Sequence, residues 1–392
     1  MASHIDSTEN EELNFVYPQK SDAELQNAYY VLKMLSNPLI VSFSSQLALF
    51  ALRIHLPIGF AIKHTIFKHF CGGETLKESR VAIDKLGESG IGTTLDYSVE
   101  STDSEAFFNS TMHEILDAIA YVKENPLVNN LAIKPTGLVS ERLLQKTAKG
   151  IALGEREKAR FVAGVGRIDQ ICKAGAEMGI EVYIDAEGSE DQDAIDEIAV
   201  AMMSKYNSEI AVVFTTLQMY RTDRLSYLDT LVAKAQEEGF KIGVKLVRGA
   251  YWERESAKEK NIVFEVKSDT DEAFNKALDT CIDHIDHFAI CNATHNEEST
   301  RYLTKIMDEK GIAKDDNRIH FSQLYGMSDH ISYTLASAGY NVTKYLPYGK
   351  VKQVIPYLIR RAQENSSIAG QMSREMAMIA EARRRAKQSP NS

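Results

Sequence analysis

The sequence predicts an α/β fold, a (βα)8 TIM-like barrel with an N-terminal helical segment. Eight short runs rich in β-branched and apolar residues recur along the chain, each followed by a plausible amphipathic helix, the alternation expected of βαβ units. Eight repeats leave no spare strand, which favours closure into a barrel. No G-x-G-x-x-G follows any run, so an open doubly wound sheet would lack its phosphate-binding turn.

Taken in order, the expected strands are 91–97, 130–134, 181–185, 210–216, 241–247, 288–292, 318–323 and 342–346. Helices are expected over 155–178 after the second, 191–206 after the third and 271–285 after the fifth. The nearest approach to a glycine-rich turn, Gly164 with Gly166, falls inside a helical pattern. We divide the chain into an N-terminal helical segment (1–80), a barrel (81–366) and a C-terminal helix and tail (367–392). In the first of these, the apolar stretch 38–52 is interrupted by Ser42, Ser44, Ser45 and Gln46 and closed by Arg53. That is short of a bilayer span, so a packed helix is expected, with a shallow membrane-surface role for 38–70 as the second reading.

Composition narrows the function classes. The 392 residues are 44% hydrophobic and 26% charged, which suits a globular protein with a large core. A net charge of −10 opposes phosphate backbones, and the only dense basic cluster is Arg383, Arg384 and Arg385, so nucleic acid is not an expected partner. Cys71, Cys172, Cys281 and Cys291 are too scattered for a C-x-x-C motif and too few for a disulfide scaffold, which fits a reducing compartment. The first fifteen residues are polar and acidic where a secretory signal needs a basic start and an apolar block. A cytoplasmic protein is expected, with peripheral contact to the inner membrane as the variant.

Barrel enzymes gather their chemistry at the rim where strands end. Here those positions carry Asp96, Lys134, Asp185 with Glu187, Gln218, Lys245 with Arg248, Thr294 with His295 and Asn296, Gln323, and Tyr345. Any one of them alone reads as a solvated residue or a helix cap; their weight lies in convergence. Three stretches go further. KLVRGAYW (245–252) carries two cations, then small residues that let a flat ligand approach the backbone, then Tyr251 and the single tryptophan, Trp252. ATHN (293–296) clusters donors suited to a phosphate or a heteroaromatic nitrogen. His295 has no second histidine at helical spacing, so no metal site is expected. In YLPYGKVKQVIPYLIRRAQEN (345–365), Tyr357, Arg360, Arg361 and Glu364 fall on one helical stripe, while Val354, Ile355, Leu358 and Ala362 lie on another. By spacing alone, the arginine stripe reads as a solvated face opposite a buried one.

In this order and at these strand positions, the three stretches resemble the proline dehydrogenase family over about 134–365, in its eukaryotic-type KLVRGAY form. Many bacterial relatives carry arginine where this chain has Lys245, a departure that keeps the cation and loses a planar fork. The resemblance implies non-covalent FAD, oxidation of L-proline to Δ1-pyrroline-5-carboxylate, and transfer of electrons to a membrane quinone. It implies that Lys134 and Asp185 make polar contacts near substrate and flavin, and that Tyr251, Leu324, Tyr345 and Tyr357 wall the pocket. Arg360, Arg361 and Glu364 match its substrate-binding helix. Ala186, Gln218, Lys245, Arg248, Gly249, Ala250, Trp252, Thr294, His295 and Asn296 match its flavin-binding set.

Those residue types suit the reaction. The carboxylate of a zwitterionic proline needs a charge-assisted partner, which Arg360 and Arg361 supply, and its ammonium must lose a proton before hydride leaves the ring. Glu364 can orient an arginine or face the ammonium. Lys245, by resemblance, would stabilise negative charge on the reduced flavin, with Asp185 as the second catalytic group. The proton acceptor stays open among Asp185, Lys134 and bulk water. Three rivals stand beside this reading. A Schiff-base lyase or aldolase would use Lys134 or Lys245 on the same barrel, and a non-catalytic binding module would be indifferent to strand-end mutation. Hydroxyproline dehydrogenase shares the framework, and the bulky phenol of Tyr345 would crowd its substrate's ring hydroxyl.

Overall fold

A computed structural model describes residues 22–54, 59–99, 103–258, 262–367 and 369–388. Its centre is a closed barrel of eight parallel strands in sequential order, β1 (Gly92–Tyr97), β2 (Val128–Ile133), β3 (Glu181–Ile184), β4 (Val213–Gln218), β5 (Ile242–Val247), β6 (Phe288–Ala293), β7 (Ile319–Leu324) and β8 (Val342–Tyr348). β8 returns to pair with β1, with Thr94 opposite Tyr345. Every expected run is a strand of this barrel.

Around and beyond it run α1 (Asp22–Leu35), α2 (Pro38–Arg53), α3 (Leu76–Gly87), α4 (Glu105–Glu124), α5 (Glu141–Ala148), α6 (Glu155–Met178) and α7 (Ser189–Tyr206). They are followed by α8 (Arg224–Glu238), α9 (Trp252–Ser256), α10 (Lys267–Asp283), α11 (Glu297–Glu309), α12 (Asp329–Ser337), α13 (Val351–Ser367) and α14 (Ala369–Gln388). Short helical turns over Gly59–Ile62, Lys63–Phe67 and Lys68–Phe70 lead into the barrel. The caps explain several boundaries. Ser104 accepts the Phe107 N–H to start α4, and Gly179, in the left-handed region at φ 68°, ends α6 at its expected residue.

Side chains alternate along each strand with a period of two. On β5, Ile242, Val244 and Leu246 join the large core between barrel and helices. On β3 and β8, Tyr183 and Tyr345 point inward, packing with Ala132, Phe214, Ala289 and Cys291. Each fully buried aliphatic or aromatic side chain contributes roughly 1.5–3 kcal/mol, so this alternation fixes which polar residues face the barrel axis.

Two expectations need correction. The fourth strand starts at Val213 rather than residue 210, because Asn207 clasps the approach. Its Oδ1 accepts the N–H groups of Val212 (3.0 Å) and Val213 (2.8 Å), while its Nδ2 donates to the Val213 (2.8 Å) and Lys241 (3.0 Å) carbonyls, leaving Ile210 exposed in the turn. β8 runs on to Tyr348, so Tyr345 lies in mid-strand instead of at its end.

A second apolar cluster joins the ends of the chain. Leu25, Val31 and Leu32 of α1 and Val41 of α2 pack with Val354, Leu358 and Ala362 of α13 and with Met378 and Ile379 of α14. The helix expected near 38–52 forms, yet among its described side chains only Val41 is buried, and Leu39 (81% exposed) and Phe43 (71%) face outward. Among the described residues, no helix is long and apolar enough to cross a membrane.

Candidate active site

The strand ends bring three charged groupings together. At the end of β3, Asp185 is tied to two other strands: Lys245 Nζ of β5 donates to its Oδ1 at 2.5 Å, and the Tyr345 hydroxyl of β8 donates to its Oδ2 at 2.8 Å. The Lys245 ammonium also lies 4.9 Å from the centroid of the Tyr345 ring. Burial, reinforced by the negative charge of Asp185, holds the Tyr345 phenol well above its usual range, so it stays a neutral donor. The strict inward alternation of β3, β5 and β8 is what makes these three meet.

The second grouping is Lys134, one residue past β2, whose Nζ donates to both oxygens of Asp96 on β1 at 2.6 and 2.7 Å. The Ser98 hydroxyl also donates to Asp96. Burial raises the Asp96 carboxyl above its ordinary value in spite of the Lys134 charge. The third grouping surrounds Glu187, whose oxygens accept from the Thr136 hydroxyl at 2.9 Å and the Tyr251 hydroxyl at 3.4 Å. Burial pushes Glu187 up to about 7, Asp185 adds to the rise, and Lys134, Thr136 and Arg360 oppose it.

Between these groups lies a cavity of about 170 Å³, walled by Lys134, Thr136, Glu187, Tyr251, Tyr357 and Arg360, with Glu141, Asp191 and Arg254 among the other residues around it. Four of the eight expected substrate contacts, Lys134, Tyr251, Tyr357 and Arg360, therefore line one space. Tyr345 is not among its walls and bonds instead to Asp185, two residues before Glu187, while Leu324, at the end of β7, bridges the inner barrel cluster and the terminal-helix cluster. Arg361 is only 7% exposed, with its guanidinium 5.1 Å from the Tyr357 ring. The side chain of Glu364 lies outside the described residues. The spacing-based picture of a solvated arginine stripe thus gives way to a helix whose apolar face packs with α1, α2 and α14 while Arg360 lines the cavity and Arg361 is buried.

The expected flavin set divides into residues facing the barrel mouth and residues engaged with the protein. Gln218 donates through Nε2 to the Glu187 carbonyl at 3.0 Å, while its buried Oε1 has no partner. Ala186 sits half-buried between Asp185 and Glu187, and Ala250 is exposed. Gly249 adopts φ 122°, and a Cβ there would fall 1.5 Å from the Tyr220 ring, so no other residue fits. Arg248 donates to Asp271 (2.7 Å), Thr294 (2.5 Å) and Ser299 (2.9 Å) and lies 4.5 Å from the Phe274 ring centroid. Asn296 caps α11 by accepting the Ser299 N–H at 3.0 Å. Trp252 is 43% exposed and donates to the Phe264 carbonyl at 2.9 Å. His295 pairs through Nδ1 with the Ser328 hydroxyl at 2.9 Å. Burial, with Lys344 and Arg361 nearby, pushes His295 down to about 3, so it is neutral at physiological pH.

Sequence reasoning placed Asp96 and Glu187 at strand ends and gave neither a role; it passed over Ser98, Thr136 and Arg254. A pointer was available for Thr136, since the IKPTG turn follows Lys134 directly.

Comparison with known proteins agrees with this fold. The proline dehydrogenase family model matches residues 80–374. The carbapenem antibiotics biosynthesis protein CarD of Pectobacterium carotovorum is 35% identical over 311 residues, covering 79% of this chain and 81% of its own. Proline dehydrogenase 1, mitochondrial, of Dictyostelium discoideum is 31% identical over 91% of this chain and 71% of its own, and hydroxyproline dehydrogenase of Xenopus laevis 30% over 93% and 87%. Among solved structures, proline utilization A of Bdellovibrio bacteriovorus superposes with a TM-score of 0.75 at 18% identity, covering 93% of this chain and 42% of that one, which establishes the shared barrel fold. This chain spans less than half the length of that structure. With a family model over most of its length and relatives of 30% identity or more over nearly all of it, the chain belongs to the proline dehydrogenase family.

Proposed function

We propose that this protein oxidises L-proline to Δ1-pyrroline-5-carboxylate with non-covalently bound FAD as its cofactor, passing electrons on to a quinone. Family membership makes it an oxidoreductase acting on proline; the proposal adds the cofactor, the acceptor and the roles of individual residues. The observation that carries it is the small cavity walled by Arg360, Lys134, Tyr251 and Tyr357 beside the Lys245–Asp185–Tyr345 cluster.

The residues present fit a flavin. The unpartnered, buried Gln218 Oε1 is an acceptor left for a ligand's donor. Gln218, Lys245, Gly249, Ala250, Ala186, Thr294, His295 and Asn296 would hold it, with Arg248 bracing Thr294 and Trp252 closing one side. When bound, FAD supplies the acceptor for a hydride, which carries both electrons of the oxidation.

The chain's own groups do the rest. Arg360 and Arg361, with Glu364 on the same helix, hold the substrate carboxylate; removing one partner of such a desolvated pair costs on the order of 2–5 kcal/mol. Tyr251, Tyr357, Tyr345 and Leu324 exclude water from the small ring and fix its face. Lys245, held at 2.5 Å by Asp185, offers a fixed positive charge where negative charge develops. Asp96 fixes Lys134 Nζ in place at the cavity wall. A relative named for hydroxyproline supplies the second reading, and the committed Tyr345 hydroxyl, fixed on Asp185, favours the unsubstituted ring.

The same reading divides the chain into helical segment (1–80), barrel (81–366) and C-terminal helix and tail (367–392). The outward stripe of Leu39, Ile40, Phe43 and Leu47 supports peripheral contact with the inner membrane, where a quinone would be met. Titrating the purified protein with vesicles tests this: sedimentation with vesicles that is lost on replacing Leu39 and Phe43 by serine is expected, and indifference to those changes would remove the contact.

A further inference from the structure

We propose that Glu187 accepts the proton that the substrate's secondary ammonium must lose before hydride can leave its ring. This rests on the proline-oxidising reading above and settles what that reading leaves open. An acceptor must present a lone pair to the cavity within the span of a small zwitterion whose carboxylate is held by Arg360. Asp185 has one oxygen bound to Lys245 at 2.5 Å and the other to Tyr345 at 2.8 Å. Asp96 has both oxygens on the Lys134 ammonium at 2.6 and 2.7 Å. Lys134, as that ammonium, donates and does not accept.

Glu187 differs from all three. It lines the same cavity as Arg360, Tyr251 and Tyr357, and its partners are neutral hydroxyls, Thr136 at 2.9 Å and Tyr251 at 3.4 Å, one on each oxygen. Each oxygen of Glu187 keeps a lone pair for a new donor, as those of Asp185 do, but Glu187 lines the cavity where Asp185 is not among its walls, and neither donor to Glu187 is a cation. Its backbone is pinned as well, since the Glu187 N–H donates to Gln192 Oε1 at 2.9 Å, so the side chain projects from a fixed point at the end of β3. The proton transfer breaks an N–H bond of the substrate and forms an O–H bond on Glu187; the electron pair stays on nitrogen, ready to form the C=N bond as hydride leaves.

The charges around Glu187 set when it can act. Lys134 after β2 and Arg360 on α13 favour its anion; Asp185, two residues back, disfavours it, and burial disfavours it most. Glu141 of α5, Asp191 of α7 and Arg254 of α9 face the same cavity, and burial with the Glu141 charge raises Asp191 to about 6. The resultant, near 7 for Glu187, matches a base that works at neutral pH.

The test follows anaerobic flavin reduction by L-proline in the holoprotein across the neutral and alkaline range. In the wild type, kcat/KM should rise through a limb near 7 as Glu187 ionises. Glu187→Gln should lose that limb and fall on the order of 10²-fold or more at neutral pH, the usual contribution of a positioned base. Its rate should then recover about tenfold per pH unit as the free amine of proline accumulates. With thiazolidine-4-carboxylate, whose ring sulfur makes the amine less basic, the deficit should shrink. A Glu187→Gln protein with the wild-type limb and neutral rate overturns the proposal. If that variant loses its flavin, Thr136→Val serves instead: removing a hydrogen bond to the charged form should move the limb to higher pH, and an unmoved limb overturns the proposal equally. Absence of proline-dependent bleaching in the wild type would overturn the proline reading itself, and this step with it.

Discussion

Replacing Lys245 by methionine separates what this side chain does for the fold from what it does for the reaction. Lys245 and Asp185 are 7% and 15% exposed in their side chains and lie 2.5 Å apart, so neither charge is screened as a surface pair would be. Surface pairs are worth about 0–1 kcal/mol. Breaking a buried pair by removing one partner costs about 3–5 kcal/mol, because the remaining charge stays in a low-dielectric site. Asp185 would keep only the Tyr345 hydroxyl at 2.8 Å and the neighbouring cations. Lys245→Met should therefore lower stability toward the upper part of that range, read as a drop in the urea midpoint with little change in slope. Adding Asp185→Asn removes the stranded charge, and the double variant should regain most of the lost stability. Flavin reduction by proline should stay slow in both proteins, since neither restores a cation at that place. Full recovery of the reduction rate in the double variant would refute the reasoning, reducing Lys245 to a counter-ion of Asp185; an unchanged midpoint in Lys245→Met would refute the buried-pair energetics.

Further consequences concern the substrate. Arg360→Met and Arg361→Met should each lower kcat/KM for proline roughly thirtyfold or more with normal flavin content, because methionine keeps much of the stem's packing and removes only the charge; near-wild-type values in both would return α13 to a purely structural role. Tyr345→Ser should narrow the preference for L-proline over trans-4-hydroxyproline by opening space at the ring and freeing one oxygen of Asp185, and an unchanged ratio of kcat/KM values would remove Tyr345 from the pocket.

The barrel was legible because its signal is local. Each β-branched run carries its own alternation, and the period of two alone decides that Lys245 and Tyr345 face inward while Leu246 and Leu346 face the helices. What was illegible depends on residues far apart in the chain. The start of β4 is set by Asn207 bonding to Lys241, and Arg248 is committed to Asp271, Thr294 and Ser299, 23 to 51 residues away. The arginine stripe of α13 misled for the same reason. Helical periodicity shows two faces and cannot show that the polar one will meet Lys134, Glu187 and Tyr251 around a cavity. Glu187 was seen as a polar residue at a strand end, and the role proposed for it depends on its place in the cavity wall and on Asp185 being tied to two other strands.

The most direct test of the account is the visible spectrum of the purified protein before and after anaerobic addition of L-proline, with the heat-released cofactor identified by chromatography. The account predicts an oxidised-flavin spectrum, bleaching by L-proline and recovery of FAD. A well-folded protein that carries no flavin, that releases FMN alone, or whose flavin stays oxidised in the presence of L-proline would contradict it.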